Sequence, residues 1–278
     1  MREAARTANA TSEPATAFEN SPDFVQSLAR GLLVLRSFDA EHPELSPAEI
    51  ATLTGLSRAA VRRVALTLQH LGYMREAGRG YALSPRVLEL GFGYLGTLDL
   101  PDLAQPLLED LAHRVNQSCS MAVLDGQSIV YVARVPVRRV MRISLGVGAR
   151  LPAIAASMGR VLLAGLVDAD LKVWLAQCQP AKLTPHTVTD LRRLKKIIDG
   201  VRAQGYAYVE QELELGLCSL AVPVRNQAGR VAAALNVGMP YHDDVAREAI
   251  EVMLPLLRDT AASLERCLPA HRLAAVSL

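Results

Sequence analysis

Aromatic residues make up only 4% of this 278-residue chain, so any core must be built from aliphatic side chains. Cysteine is scarce as well: Cys119, Cys178, Cys218 and Cys267 stand far apart, without the paired spacing of a zinc site or a disulfide framework. The six histidines are equally scattered, and neither a metal nor a cofactor is expected. No stretch reaches the roughly 18 uncharged apolar residues of a membrane span. The start, Met1-Arg2-Glu3-Ala4-Ala5-Arg6, lacks the apolar segment of a secretory signal, so the expectation is a cytoplasmic protein without a membrane partner. There is no Gly-x-Ser-x-Gly elbow, phosphate loop or dinucleotide fingerprint. No catalytic residues are expected, and Cys218 beside Ser219 reads as a core thiol.

Half of the chain is hydrophobic, enough for real cores, and its length fits two domains. Residues 1–22 are rich in Ala, Thr, Ser, Glu and Asn without hydrophobic periodicity and read as a disordered tail. Leu28, Leu32, Leu33, Leu35 and Phe38 then mark a helix expected to pack under the segment that follows. That segment carries the sharpest local signals. Ser46-Pro47-Ala48-Glu49 reads as a helix cap with proline in the first turn and a glutamate able to reach back. Ile50, Leu53 and Thr54 form its apolar stripe, Gly55 permits a left-handed ending, and Ser57 caps a second helix two residues later. Two short helices with so tight a turn read as helix-turn-helix. In the second helix Val61, Val64, Ala65, Leu68 and Leu71 share a core face, leaving Arg58, Ala59, Arg62, Arg63 and Thr67 outward. Tyr73-Met74-Arg75 and Tyr81-Ala82-Leu83 follow as short strands around Glu76-Ala77-Gly78-Arg79-Gly80, a basic-tipped wing. From residue 57 to 80 five arginines face a single acid, Glu76, in a chain whose net charge is only +2. Residues 23–85 therefore predict a winged helix-turn-helix that binds double-stranded DNA, with Ser46, Ser57, Arg58, Ala59, Arg62, Arg63, Thr67 and the wing's Arg79 at the interface.

Ser84-Pro85 starts another helix, and residues 86–99, with Gly91, Gly93 and Gly96, read as a linker that packs against a second subunit. From residue 100 to 270 the order is helix, then a hairpin of Ser118 to Leu124 and Ile129 to Val135 turning at Asp125-Gly126, and a third strand at Val140 to Leu145. A loop from Gly146 to Pro152, a small-residue helix from Ala155 to Leu166 and two further helices come next. Strands at Tyr206 to Val209, Ser219 to Val224 and Val231 to Val237 and a last helix from Asp243 to Cys267 complete an α+β domain. Residues 271–278 read as a tail. The basic run Arg192, Arg193, Lys195 and Lys196 alternates with apolar residues and reads as a solvated face. Ser157 and Met158 at a helix start suit an anion, and the acidic stretch from Glu210, Ser219 and Asn236 are further polar candidates.

Several of these motifs, in this order, resemble the IclR family of bacterial transcriptional regulators. They are Val25-Gln26-Ser27-Leu28-Ala29-Arg30-Gly31-Leu32, the helix-turn-helix from Leu45 to Ala65, the wing ending Tyr81-Ala82-Leu83-Ser84-Pro85, Leu151-Pro152 with Ala155 and Gly159-Arg160, and Gly216 with Ala221-Val222-Pro223. Gln26 to Leu32 and Gln211-Glu212-Leu213-Glu214-Leu215-Gly216-Leu217 look most like the branch that regulates protocatechuate and para-hydroxybenzoate catabolism. The resemblance implies a winged-helix domain, a dimerising linker helix and a C-terminal GAF-like effector-binding domain. It implies homodimers or homotetramers, operator DNA and RNA polymerase as partners, and a small organic acid as effector, with protocatechuate, para-hydroxybenzoate and β-ketoadipate all fitting. By motif position the effector contacts are Ser157, Met158, Glu210, Leu217, Ser219, Asn236 and Gly238, the acidic contact of some relatives falling near Val209 or Glu210. A constitutive DNA-binding protein, or a repressor of another carbon-source pathway, is the alternative.

Overall fold

The computed structural model describes residues 17–39, 41–91, 100–137 and 145–267. The chain divides into two units, Met1–Tyr94 and Leu95–Leu278. Most of the expected N-terminal tail, of the linker helix and of the strand at Val140 to Leu145 lies outside the described residues, as does the C-terminal tail.

In the first unit, α1 (Gln26–Leu35), β1 (Glu44–Leu45), α2 (Pro47–Thr54) and α3 (Arg58–His70) precede the hairpin of β2 (Met74–Ala77) and β3 (Gly80–Leu83). The three strands form a small sheet in the order β1-β3-β2. The hairpin strands reach further into the wing than their residue types predict, leaving only Gly78 and Arg79 in the turn, with Gly78 at φ +54°. Gly80 is required for another reason: a side chain there would run into the Leu45 backbone carbonyl of the neighbouring strand. Val34, Leu45, Ile50, Val61, Ala65, Leu68 and Met74 make the core.

The expected packing of α1 needs correction. Val34 is its buried residue, supported by the half-buried Leu35 and Phe38, whereas Leu28, Leu32 and Leu33 are exposed. Aliphatic residues stand on more than one side of this helix, so its sequence does not say which stripe meets the core. Leu53 and Leu71 are exposed too, Leu71 because it lies beyond the last turn of α3. Ala17–Asn20, inside the stretch read as a tail, forms a 3-10 turn, and Phe18 meets Phe24 edge to face at 5.9 Å.

The second unit is a six-stranded antiparallel sheet in the order β6-β5-β4-β9-β8-β7. Its strands are β4 (Ser118–Asp125), β5 (Ser128–Val135), β6 (Arg150–Pro152), β7 (Ala207–Glu210), β8 (Leu217–Arg225) and β9 (Val231–Pro240). Strand β6 lies in the stretch read as a loop; its three residues are too few to show a period. One face is covered by α4 (Leu100–Val115) and by a C-terminal run of α8 (Val245–Glu248), a π-turn (Ala249–Met253) and α9 (Leu254–Cys267). The π-turn interrupts the expected continuous helix where Pro255 has no amide to return to Glu251. The other face is covered by α5 (Ser157–Ala164), α6 (Asp168–Gln177) and α7 (Leu191–Gln204), through Leu162, Trp174 and Ile198 among others. Both sheet faces are therefore covered by helices. A polar residue pointing to either one must find a partner inside the protein.

Candidate nucleic-acid interface and ligand cavity

The reading head is built by its caps. The Ser46 hydroxyl accepts from the Glu49 amide at 3.3 Å, while the Glu49 carboxylate accepts from the Ser46 amide at 2.8 Å. Gly55 ends α2 at φ +69°, and the Ser57 hydroxyl then accepts from the Ala60 amide at 3.2 Å. With Val61, Ala65 and Leu68 turned inward, Arg58, Ala59, Arg62, Arg63 and Thr67 all lie exposed on the opposite side of α3. Arg79 is exposed at the wing tip. Thr67 donates to the Arg63 carbonyl at 2.9 Å. The ion pairs of this unit, His42–Asp39 and Arg86–Glu89, leave these arginines uncompensated among the described residues. An exposed arginine row on a short helix, with another arginine on the hairpin beside it, suits phosphate and base-edge contacts.

The second unit holds a small, partly open cavity between the sheet and α5. Strand register sets its floor. Arg134, Ser120, Asn236 and Ala221 lie side by side across β5, β4, β9 and β8. The neighbouring row is Ser118, Gly238, Ser219 and Val209. Ser157 and Met158, the first two residues of α5, form the roof with Leu213, while Leu217 continues the floor along β8. The Arg134 guanidinium donates to the Ser120 hydroxyl at 3.1 Å and lies 5.8 Å from the centre of the Tyr131 ring. Ser118 accepts from the Val137 amide at 3.1 Å. Burial pushes the Tyr131 hydroxyl up to about 12, against the pull of Arg134, so it keeps its proton at neutral pH.

Of the seven residues expected to touch an effector, Ser157, Met158, Leu217, Ser219, Asn236 and Gly238 come together here and Glu210 does not. Adjacent residues of a strand point to opposite faces. Val209 lines the cavity, and Glu210 accepts from the Tyr208 hydroxyl at 2.8 Å beside Cys218 on the far face. The buried acid of this region is Glu212, whose carboxylate pairs with Arg160 at 2.7 Å and accepts from the Val188 amide at 2.9 Å. Arg160 also donates to the Ile154 carbonyl at 2.9 Å. Burial draws the Arg160 guanidinium down from its ordinary range, and Glu212 opposes that pull. The pair fastens the loop carrying Leu213 to the helix carrying Ser157, two walls of one cavity.

Arg134 and Tyr131 of β5 are missing from the sequence-based expectation, as are Ser118 and Ser120 of β4, and for the β5 pair the reason is a β-bulge. Met121 pairs with Ala133 and Ala122 with Tyr131, so Val132 is an extra residue in β5. Val132 and Ala133 both turn to the α4 side, which brings Tyr131 and Arg134, three residues apart, to the same face. Strict alternation would have sent them to opposite faces. The available signal was an arginine inside an otherwise uncharged strand.

A family model described as "IclR helix-turn-helix domain" matches residues 27–78, and one described as "Bacterial transcriptional regulator IclR C-terminal" matches residues 92–266. The "Pca regulon regulatory protein" of Pseudomonas putida is 42% identical over 90% of this chain and 86% of its own length. The "p-hydroxybenzoate hydroxylase transcriptional activator" of Acinetobacter baylyi is 37% identical over 87% of this chain and 91% of its own. Among solved structures, an IclR homolog from Microbacterium hydrocarbonoxydans, complexed with 4-hydroxybenzoate, aligns with a TM-score of 0.76 at 26% identity, covering 86% of this chain and 98% of that one. The caps, the wing, the antiparallel sensor sheet and these matches along nearly the whole described chain lead to one assignment: the protein belongs to the IclR family of bacterial transcriptional regulators.

Proposed function

We propose that this protein controls genes of aromatic-acid catabolism, binding operator DNA as a dimer through α3 and the wing and taking a small organic acid into its sensor cavity as the signal. The observation that carries the reading is an accounting of buried polar atoms. Among the described residues three buried side-chain atoms have no hydrogen-bond partner, Arg134 Nε, Ser157 Oγ and Asn236 Oδ1, and all three line the same cavity. Each such atom costs about 1–3 kcal/mol if it stays unpaired, so a ligand supplying partners to all three gains affinity from groups already in position. Dimerisation is supported by the exposed stripe of Val25, just before α1, with Leu28 and Leu32 on it, and by the exposed Leu88 and Leu90 at the start of the linker. One reading head also contacts too few base pairs to define a site alone.

The test is calorimetric titration of the full chain with protocatechuate, 4-hydroxybenzoate and β-ketoadipate, followed by operator gel shifts with and without whichever acid binds. Binding by at least one acid, together with a shift in operator affinity, is expected. A ligand with no preference between two states of the protein shifts nothing, so the second measurement is as necessary as the first. Absence of heat for all three acids would remove the sensor reading.

A further inference from the structure

Resting on the sensor reading above, we infer that Arg134 receives the carboxylate of the ligand, so that the acid group docks on the sheet and not at the start of α5. The charges around the cavity favour this end. Arg134 has no carboxylate partner among the described residues, and no Asp or Glu is among the described residues lining the cavity. Its Nε is buried and unpaired, while another guanidinium nitrogen is held at 3.1 Å from Ser120 and the group lies over the Tyr131 ring. The side chain is thus positioned by protein groups that leave its charge uncompensated. A half-buried cation of this kind is stabilised by an anion, and the fork of guanidinium donors matches a carboxylate.

The competing end is weaker. The start of α5 offers at most about half a unit of positive charge from the helix dipole, and α5 is only eight residues long. Its first side chain, Ser157, is neutral. Asn236 Oδ1 is an acceptor, which repels a carboxylate and pairs with a ligand O–H or N–H donor. Arg134 and Asn236 stand two strands apart on one row, roughly 10 Å between backbones, with Ser120 between them. A molecule bearing an anion at one end and a polar group at the other bridges that interval.

The experiment compares an acid with its own neutral amide. Full-length wild type, Arg134→Gln and Arg134→Lys are titrated with whichever of the three acids binds and with the corresponding carboxamide, folding being checked by thermal melting. Wild type should prefer the acid. Arg134→Gln should lose roughly 10- to 100-fold in affinity for the acid, as for a hydrogen bond to a charged group, and less than about threefold for the amide. Arg134→Lys should fall between, because it keeps the charge and loses the fork. Equal losses for acid and amide would overturn the assignment by showing that Arg134 only shapes the cavity. So would unchanged acid binding in Arg134→Gln, or a wild type indifferent between acid and amide. If wild type binds no acid, the sensor reading falls, and this inference with it.

Discussion

The two units of this protein place their polar side chains in opposite ways. In the reading head they stand outside, on a helix and a hairpin that local signals specify: two serines, one glutamate and three glycines fix α2, the turn, α3 and the wing. In the sensor they stand inside, on a sheet covered on both faces, and long-range pairing decides which way they point. The difference is one of energetic consequence. An exposed arginine exchanges one hydrated environment for another when it meets a phosphate, whereas a buried polar atom must be satisfied by protein or ligand.

The largest expected effect is therefore in the sensor. Arg160 and Glu212 are almost fully buried and meet at 2.7 Å. Glu212→Ala leaves the guanidinium buried and alone and should destabilise the second unit by about 3–5 kcal/mol. The single tryptophan, Trp174, lies buried in that unit and reports its unfolding, so denaturant melts followed by fluorescence measure the loss. The double change Arg160→Met with Glu212→Leu should recover most of it, since hydrophobic replacement of a whole buried pair is often close to neutral. If Glu212→Ala unfolds like wild type, the inside-versus-outside contrast is wrong for this pair.

On the outside, single losses should be smaller and should appear in binding. Arg62→Ala and Arg63→Ala are each expected to weaken operator binding by about 1–3 kcal/mol where the side chain reads a base edge, with unchanged thermal stability. Gel-shift titration shows the first and melting the second. Unchanged affinity in both variants would remove α3 as the reading helix.

The same contrast explains what was legible beforehand. Ser46, Glu49, Gly55 and Ser57 act on neighbours within four residues, so their roles can be read from spacing alone. The hairpin strands of the sensor were also legible, because Asp125-Gly126 marks the turn between them. Arg134 was not, because a bulge at Val132 reverses the face that alternation assigns, and a bulge depends on the partner strand. Glu210 misled for the complementary reason: an acid next to the site in sequence lies one pleat away from it in space. The exposed leucines of α1 share the difficulty, since apolar residues on several sides of one helix do not say which stripe the core takes.

A third, smaller effect separates the two parts of the head. Arg79 sits at an exposed turn, a position suited to backbone phosphates. Arg79→Ala should lower affinity for operator and unrelated DNA alike and reduce the salt slope by about one unit. A change in base preference without a change in slope would mean that the wing reads sequence.

The smallest effect returns to the cap that starts the head. Glu49 lies below the usual carboxylate range, because the Ser46 hydroxyl and amide hydrogen-bond to its ionised form, with a further contribution from the charge of His42. A carboxyl depressed in the folded state stabilises the fold fully above its unfolded pKa, about 4.3 for glutamate, and that stabilisation fades as pH falls through the lower folded value. Glu49 is solvent-exposed, so its contribution should be modest and screened by salt. Glu49→Gln keeps an oxygen that can accept from the Ser46 amide but removes the charge. Its melting temperature should therefore lie below wild type at pH 7 and converge on it at lower pH, as the wild-type carboxyl takes up its proton. A gap that stays constant across that range would show that the cap acts through shape alone, and that even this exposed acid owes nothing to its charge.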